Sequence, residues 1–317
     1  MFREPPFRQF QPYIKIMALI MVMIVTFLIV LAFGVALSIP IFGRDMLENL
    51  ASLSDYSDPQ TVVALKYFQI INQIGVFIAP AVIFVILTDD DFFGYLNMNN
   101  GIKKLSIIFG FILLLVSMPF INWLVQINNE IHLPEFLARI EDWMRNLEDN
   151  AQKLTDVFLN TKTLGGFMIN LLMVAVLAAV GEELIFRGIL VKLFREWTGN
   201  VHLAVFIPAL LFSALHLQFY GFFGRLALGI ILGYLFVWSG SLWVPIAVHF
   251  LNNAMAVIVS FLGQRGLIST NLESFGSSQN SYVITGSFLL LIFSMSVIYL
   301  HERGFFKNRA KKTPDPA

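Results

Sequence analysis

Residues 14–38 read IKIMALIMVMIVTFLIVLAFGVALS, a run whose one ionisable side chain is Lys15. A helix crossing the hydrocarbon layer of a bilayer needs about 20 mostly apolar residues, so this stretch is long enough to span. It also exceeds the roughly 7–15 apolar residues of a signal-peptide core, and it reads as a retained helix even though Ala36-Leu37-Ser38 faintly resembles a cleavage site. The same criterion picks out further stretches at approximately 68–87, 105–126, 164–181, 201–217, 222–238, 243–262 and 282–299. The expected fold class is all-α: a polytopic membrane bundle of about eight transmembrane helices plus one amphipathic surface helix.

Composition agrees. Of 317 residues, 57% are hydrophobic and 13% charged, and the mean hydropathy is +0.74. Water-soluble domains carry about 25% charge, so lipid is the solvent for much of this surface. Lys+Arg 21 equals Asp+Glu 21, which leaves no basic excess for a nucleic-acid partner. The absence of cysteine excludes disulfides, thiolate metal sites and Cys nucleophiles.

An even number of spans puts both termini on one side. The C-terminal basic residues Arg303, Lys307, Arg309, Lys311 and Lys312, the N-terminal Arg3, Arg8 and Lys15, and Lys103, Lys104, Arg187, Lys192 and Arg195 then share that side. By the positive-inside bias it is cytoplasmic, in the cell (inner) membrane if the source is bacterial. The acidic Asp45, Glu48, Asp55 and Asp58 fall outside. The Pro-rich ends, Glu4-Pro5-Pro6 and Thr313-Pro314-Asp315-Pro316, read as short tails.

Between the third and fourth spans, Phe136, Leu137, Ile140, Trp143, Met144, Leu147, Leu154 and Phe158 recur at helical spacing opposite Glu135, Arg139, Asp142, Glu148 and Asp149. This amphipathic helix either lies on the outer membrane surface or packs over the ends of the bundle, and it is assigned no chemistry.

Ionisable groups inside a membrane are expensive and usually mark a site. In Gly181-Glu182-Glu183-Leu184-Ile185-Phe186-Arg187, the i,i+4 spacing puts Glu183 and Arg187 on one helical face as a structural ion pair. Glu182 lies about 100° around the helix and remains available as a base. Trp197-Thr198-Gly199-Asn200 is a turn, and Glu182 and His216 lie 17 residues before and after Gly199. At about 1.5 Å per residue both sit on the order of 25 Å from that turn, provided the fourth helix continues to roughly Glu196. A second turn at Ser239-Gly240-Ser241 is followed by His249 and Asn253, four residues apart on one face. Lone membrane histidines also bridge helices by hydrogen bonds, and Asn253 alone would read as packing. Gly229 and Gly233 form a small-xxx-small pair for close helix packing.

Convergence of Glu182, His216, His249 and Asn253 in one water-containing cavity suits hydrolysis: a carboxylate takes a proton from water, imidazoles position it, and an amide stabilises the oxyanion. The same donors suit Zn²⁺ or another divalent metal, with Glu182, His216 and His249 as ligands, although no His-Glu-x-x-His helix is present.

These residues resemble the CPBP intramembrane metalloproteases (CAAX protease and bacteriocin-processing, also called Abi). Glu182-Glu183-Leu184-Ile185-Phe186-Arg187 is similar to the family's Glu-Glu-x-x-x-Arg, Phe212-Ser213-Ala214-Leu215-His216 to its Phe-x-x-x-His, and His249-Phe250-Leu251-Asn252-Asn253 to its His-x-x-x-Asn. Ser239 to Ile246 also resembles the stretch before the last His. The resemblance covers roughly 164–262 as a catalytic core, between N-terminal membrane helices with the amphipathic segment (1–163) and a loop, last helix and basic tail (263–317), all one integrated membrane domain.

It implies an endopeptidase acting on peptide or protein substrates at the membrane. Eukaryotic relatives remove the last three residues of prenylated CAAX proteins, and others serve bacteriocin processing or immunity. Carried over, Glu182 activates water, His216 positions water or a metal, and His249 with Asn253 binds metal or stabilises the oxyanion. Glu183 and Arg187 support the site, and a metal-free mechanism uses the same residues. The alternatives are a secondary transporter using buried Glu and His as a proton relay, or a non-catalytic immunity or scaffold protein.

Overall fold

The computed structural model describes residues 4–44, 56, 58–268 and 278–310, the side chains of 304–310 excepted. Arg3, Asp45, Glu48, Asp55, Lys311, Lys312, the 313–316 end and the side chains of Lys307 and Arg309 lie outside the described residues. The helices are α1 (Pro12–Phe42), α2 (Pro59–Thr88), α3 (Lys104–Asn129), α4 (Ala138–Leu159), α5 (Leu164–Thr198), α6 (Val201–Ala214), α7 (Phe222–Ser239), α8 (Trp243–Gln264) and α9 (Ser281–Ala310). No strand occurs among the described residues, and the chain is a polytopic helical bundle.

Local chemistry sets the helix ends. Asp58 caps α2 by accepting from the Gln60 and Thr61 amides, with Pro59 in the first turn, so this span starts nine residues before its apolar part. Gly199 (φ 65°) and Gly240 (φ 61°) take left-handed conformations that close α5 and α7 at the two turns expected from sequence. The fourth span does run on to Thr198.

Hydrogen bonds sort the connections onto two faces. On one, Phe7 N donates to Leu87 O (2.8 Å), Arg8 pairs with Asp90 (2.6 Å), and Asn97 accepts from Lys192 Nζ (3.1 Å) at Oδ1 and from Leu242 N (3.4 Å) at its carbonyl. On the other, Asn128 Nδ2 donates to Phe219 O (2.8 Å) and Tyr220 N to Glu148 Oε2 (2.9 Å). These contacts put the N-terminal arm and the α2/α3 and α7/α8 connections on one face and the α3/α4 and α6/α7 connections on the other.

One pass differs from expectation. Among the described residues seven helices are long and apolar enough to span, whereas α6 has 14 residues and ends at Ala214, short of the expected 217. At about 1.5 Å per residue it is roughly 21 Å long, less than a hydrocarbon thickness. It ends because Leu217 turns to φ 53° and the following loop wraps around Arg225, which donates to the carbonyl and side-chain oxygens of Gln218.

Packing needs small residues where α6 meets α7. A β-carbon on Gly229 would meet Ala209 Cβ at 3.0 Å, and one on Gly233 would meet Val205 Cγ1 at 2.7 Å. Behind this pair, buried Leu113, Leu232, Leu235, Val244 and Val248 join α3, α7 and α8. Buried Phe84, Leu96, Ile185, Ile189, Leu193 and Leu242 pack α2 and the α7/α8 turn around α5. The last helix is tied down by buried Glu302, which accepts from Lys103 Nζ (2.7 Å) and from Ser106 Oγ.

The amphipathic segment divides its two expected locations between its ends. Phe136, Ile140 and Trp143 are exposed, as at a membrane surface, while Leu154, Phe158 and Leu159 cover a cavity in the bundle. Its start is latched by Glu141, which accepts from Leu133 N (2.8 Å) and Arg145 Nη2 (2.7 Å) and pairs with His132 (2.9 Å). Arg145 foremost, then the Leu133 amide and His132, hold the Glu141 carboxyl down at about 2. Because the folded value lies below the ordinary one of about 4.5, the latch contributes above that pH and is lost as pH falls towards 2. Hydrogen exchange in residues 131–145 should accelerate over that window, and Glu141→Gln should show the fast exchange already at neutral pH.

Sidedness is directly testable because the chain has no native cysteine. Cysteines placed at exposed Asn99 and Asn150 should react with an impermeant maleimide from opposite sides of sealed vesicles. Reaction from one side would overturn the eight-pass threading.

Candidate active site

Glu182 from α5, His216 from the loop just after α6, and His249 and Asn253 from α8 all line one cavity of about 560 Å³. Helix α5 places its carboxylates through unusual local geometry. The turn Ala178–Glu183 sits between two π-helical segments, Leu171–Leu177 and Leu184–Leu190, and a third, Ile74–Ile78, follows Gln73 in α2. Wider π turns displace backbone carbonyls from the regular ladder and occur often at functional sites. Here Val174 O, in the first of them, accepts from Asn253 Nδ2 (3.0 Å).

Glu183 and Arg187 are an ion pair, as their spacing predicts, and both are fully buried. They do not line the cavity. Glu183 Oε1 also accepts from His249 Nδ1 (2.9 Å), a second partner that sequence spacing did not reveal. Arg187 is fixed in turn by Gly229 O (3.1 Å) and lies 5.1 Å from the centre of the Phe212 ring. Its place is thus behind His249 rather than on the cavity wall.

This arrangement assigns a tautomer. A carboxylate only accepts, so His249 Nδ1 carries the hydrogen and Nε2 presents its lone pair in the neutral ring. Nε2 lies 3.8 Å from Glu182 Oε2, too long for a direct hydrogen bond. His216 Nδ1 likewise donates to Phe212 O (2.6 Å), which frees its Nε2. The Phe212 ring packs edge-on against both imidazoles, with centroids 4.9 Å from His216 and 6.1 Å from His249.

The three residues named for a metal do not meet as a ligand set. Among the described residues no three His, Asp or Glu side chains are grouped closely enough to hold a metal ion. Each imidazole donates its Nδ1 hydrogen to an oxygen, His249 to Glu183 and His216 to the Phe212 carbonyl, and keeps Nε2 free, an orientation that metal-binding histidines share.

Two cavity residues escaped the sequence reading. Gln73 of α2 adjoins Glu182, and its Oε1 is buried without a partner. Arg225, in the first turn of α7, lines the same cavity with Gln218. Each carried a signal: Gln69 and Gln73 stand at i,i+4 in an apolar span, and Arg225 is the one charged residue of 222–238.

Comparison with known proteins points the same way as the three motifs. A 90-residue stretch is 29% identical to the uncharacterized protein YpbD of Bacillus subtilis (strain 168), covering 27% of this chain and 43% of that relative. The chain thus spans less than half the length of the curated relative it matches. No solved structure matches it. The family model described as type II CAAX prenyl endopeptidase Rce1-like matches residues 164–255, which contain all three motifs. That segment, which holds every charged and histidine residue of the site described above, is the part of the chain that resembles the Rce1-like endopeptidases.

Proposed function

We propose that this multi-pass membrane protein is an intramembrane endopeptidase of the CAAX-protease type, hydrolysing peptide bonds of membrane-associated substrates. The observation that carries the reading is the chain of contacts from Arg187 through Glu183 to His249, which presents a free imidazole nitrogen 3.8 Å from Glu182 inside a cavity. Water held between Glu182 and His249 Nε2 is deprotonated by Glu182 and attacks the scissile carbonyl. The second hydrogen of Asn253 Nδ2 meets the oxyanion, and the proton taken up by Glu182 is relayed through the free His216 Nε2 to the leaving amine, which restores the Glu182 carboxylate. Glu183 and Arg187 position His249 and touch no substrate. In the cell the proposal places both termini in the cytoplasm.

The test is incubation of the purified full chain, in liposomes, with a prenylated Cys-aliphatic-aliphatic-X peptide and a panel of unmodified membrane peptides, followed by mass spectrometry for new termini. Appearance of defined termini supports the reading. Intact peptides together with proton flux under a pH gradient would replace it with transport.

A further inference from the structure

Arg225 is a cation in a position that disfavours positive charge on two counts. It stands in the first turn of a membrane-crossing helix, at the positive end of the helix dipole. It is also the one charged residue of that helix, in surroundings that penalise a charge without a counterion. No carboxylate lies within ion-pair distance of it among the described residues. Glu148, which α4 brings to this end of the bundle, binds Tyr220 N at 2.9 Å instead. Of the five donors of the guanidinium, those used go to the neutral oxygens of Gln218, and Nε is buried with no acceptor.

One role of Arg225 is plain: it clamps the 215–221 loop and so helps hold His216. A clamp of that kind needs hydrogen-bond donors but no charge, and a neutral amide would make it without the desolvation penalty. Glu148 acts on this charge only from beyond ion-pair distance, so the guanidinium still calls for an anion, and the accessible space beside it is the cavity it shares with Glu182 and His249.

We propose that Arg225 is a binding residue for a carboxylate of the substrate peptide, anchoring it in the cavity at a fixed distance from the scissile bond. Either a free C-terminal carboxylate or an acidic side chain supplies this group. The assignment rests on the hydrolytic reading for the occupant being a peptide, so binding is tested separately from cleavage.

The Glu182→Gln protein, in nanodiscs of neutral phosphatidylcholine, is titrated with four fluorescent prenylated Cys-aliphatic-aliphatic-X peptides. They are the free acid, its C-terminal amide, and amidated forms ending in Glu or Gln. A charged form should bind about 10-fold or more tightly than its neutral counterpart, and the pair that differs identifies the source of the carboxylate. Arg225→Gln should erase that difference, and Arg225→Lys should restore part of it. Gln218→Ala removes the side-chain half of the clamp and leaves the bond to the 218 carbonyl and the charge, so it should keep the preference. Thermal unfolding of each variant in the same nanodiscs separates loss of fold from loss of binding.

Equal binding of charged and neutral forms, absence of binding by all four, or loss of the preference in Gln218→Ala would each overturn the assignment. So would affinity that follows the anionic lipid content of the nanodisc instead of the peptide. A carboxylate preference with no cleavage by the wild-type chain supports the anion site and overturns the hydrolytic reading.

Discussion

Glu182→Gln is expected to abolish peptide cleavage while leaving the fold intact. The substitution keeps the shape of the side chain and its place on the α5 turn Ala178–Glu183, and it removes only the capacity to take a proton from water. Glu182 makes no short ion pair that the amide would break: its recorded ionic neighbour is His249 Nε2 at 3.8 Å. The pair that holds His249, through Glu183 and Arg187, is left untouched. A positioned general base accounts for about 10²–10⁴ in rate, so turnover should fall by at least that factor. The measurement is the rate of appearance of new termini, with thermal unfolding in detergent as the control. Wild-type turnover in a folded Glu182→Gln protein would remove Glu182 from the mechanism.

Breaking the ion pair behind the site should have the largest effect on stability. Glu183 and Arg187 are buried to 0% and 1% exposure, so deleting either partner leaves the other as an uncompensated charge away from water. That costs roughly 3–5 kcal/mol in buried pairs. Glu183→Gln and Arg187→Met should each lower thermal stability by an amount of that order, and each should lower activity because His249 loses its orientation. The double variant should be less destabilised than the sum of the two, since no charge is then left unpaired. Strict additivity in the double-mutant cycle would mean that the contact carries no energy in the membrane-embedded protein.

The sequence determined the class of fold, because lipid imposes a simple rule: a spanning segment must satisfy its backbone internally and offer apolar side chains outward. Residues 14–38 and the later apolar runs obey it over lengths that leave few alternatives. The same reasoning made Glu182, Glu183, Arg187, His216 and His249 legible, since each is a costly exception in an apolar setting. The turns at Gly199 and Gly240 were legible for an equally local reason, the left-handed backbone that glycine tolerates.

What escaped depended on contacts between residues far apart in the chain. The 14-residue α6 looked longer because its apolar character continues past Ala214, and its end is fixed by Arg225 holding Gln218. The bond from His249 to Glu183 spans 66 residues and chooses which imidazole nitrogen faces Glu182. The covering of the cavity by Leu154, Phe158 and Leu159 rests on the docking of α4, which its periodicity alone leaves undecided. Hydrophobic patterning depends only on a residue and its near neighbours, so a sequence displays it openly. The direction of a hydrogen bond and the walls of a cavity depend on which helices meet and at what depth, and only the packed bundle decides that.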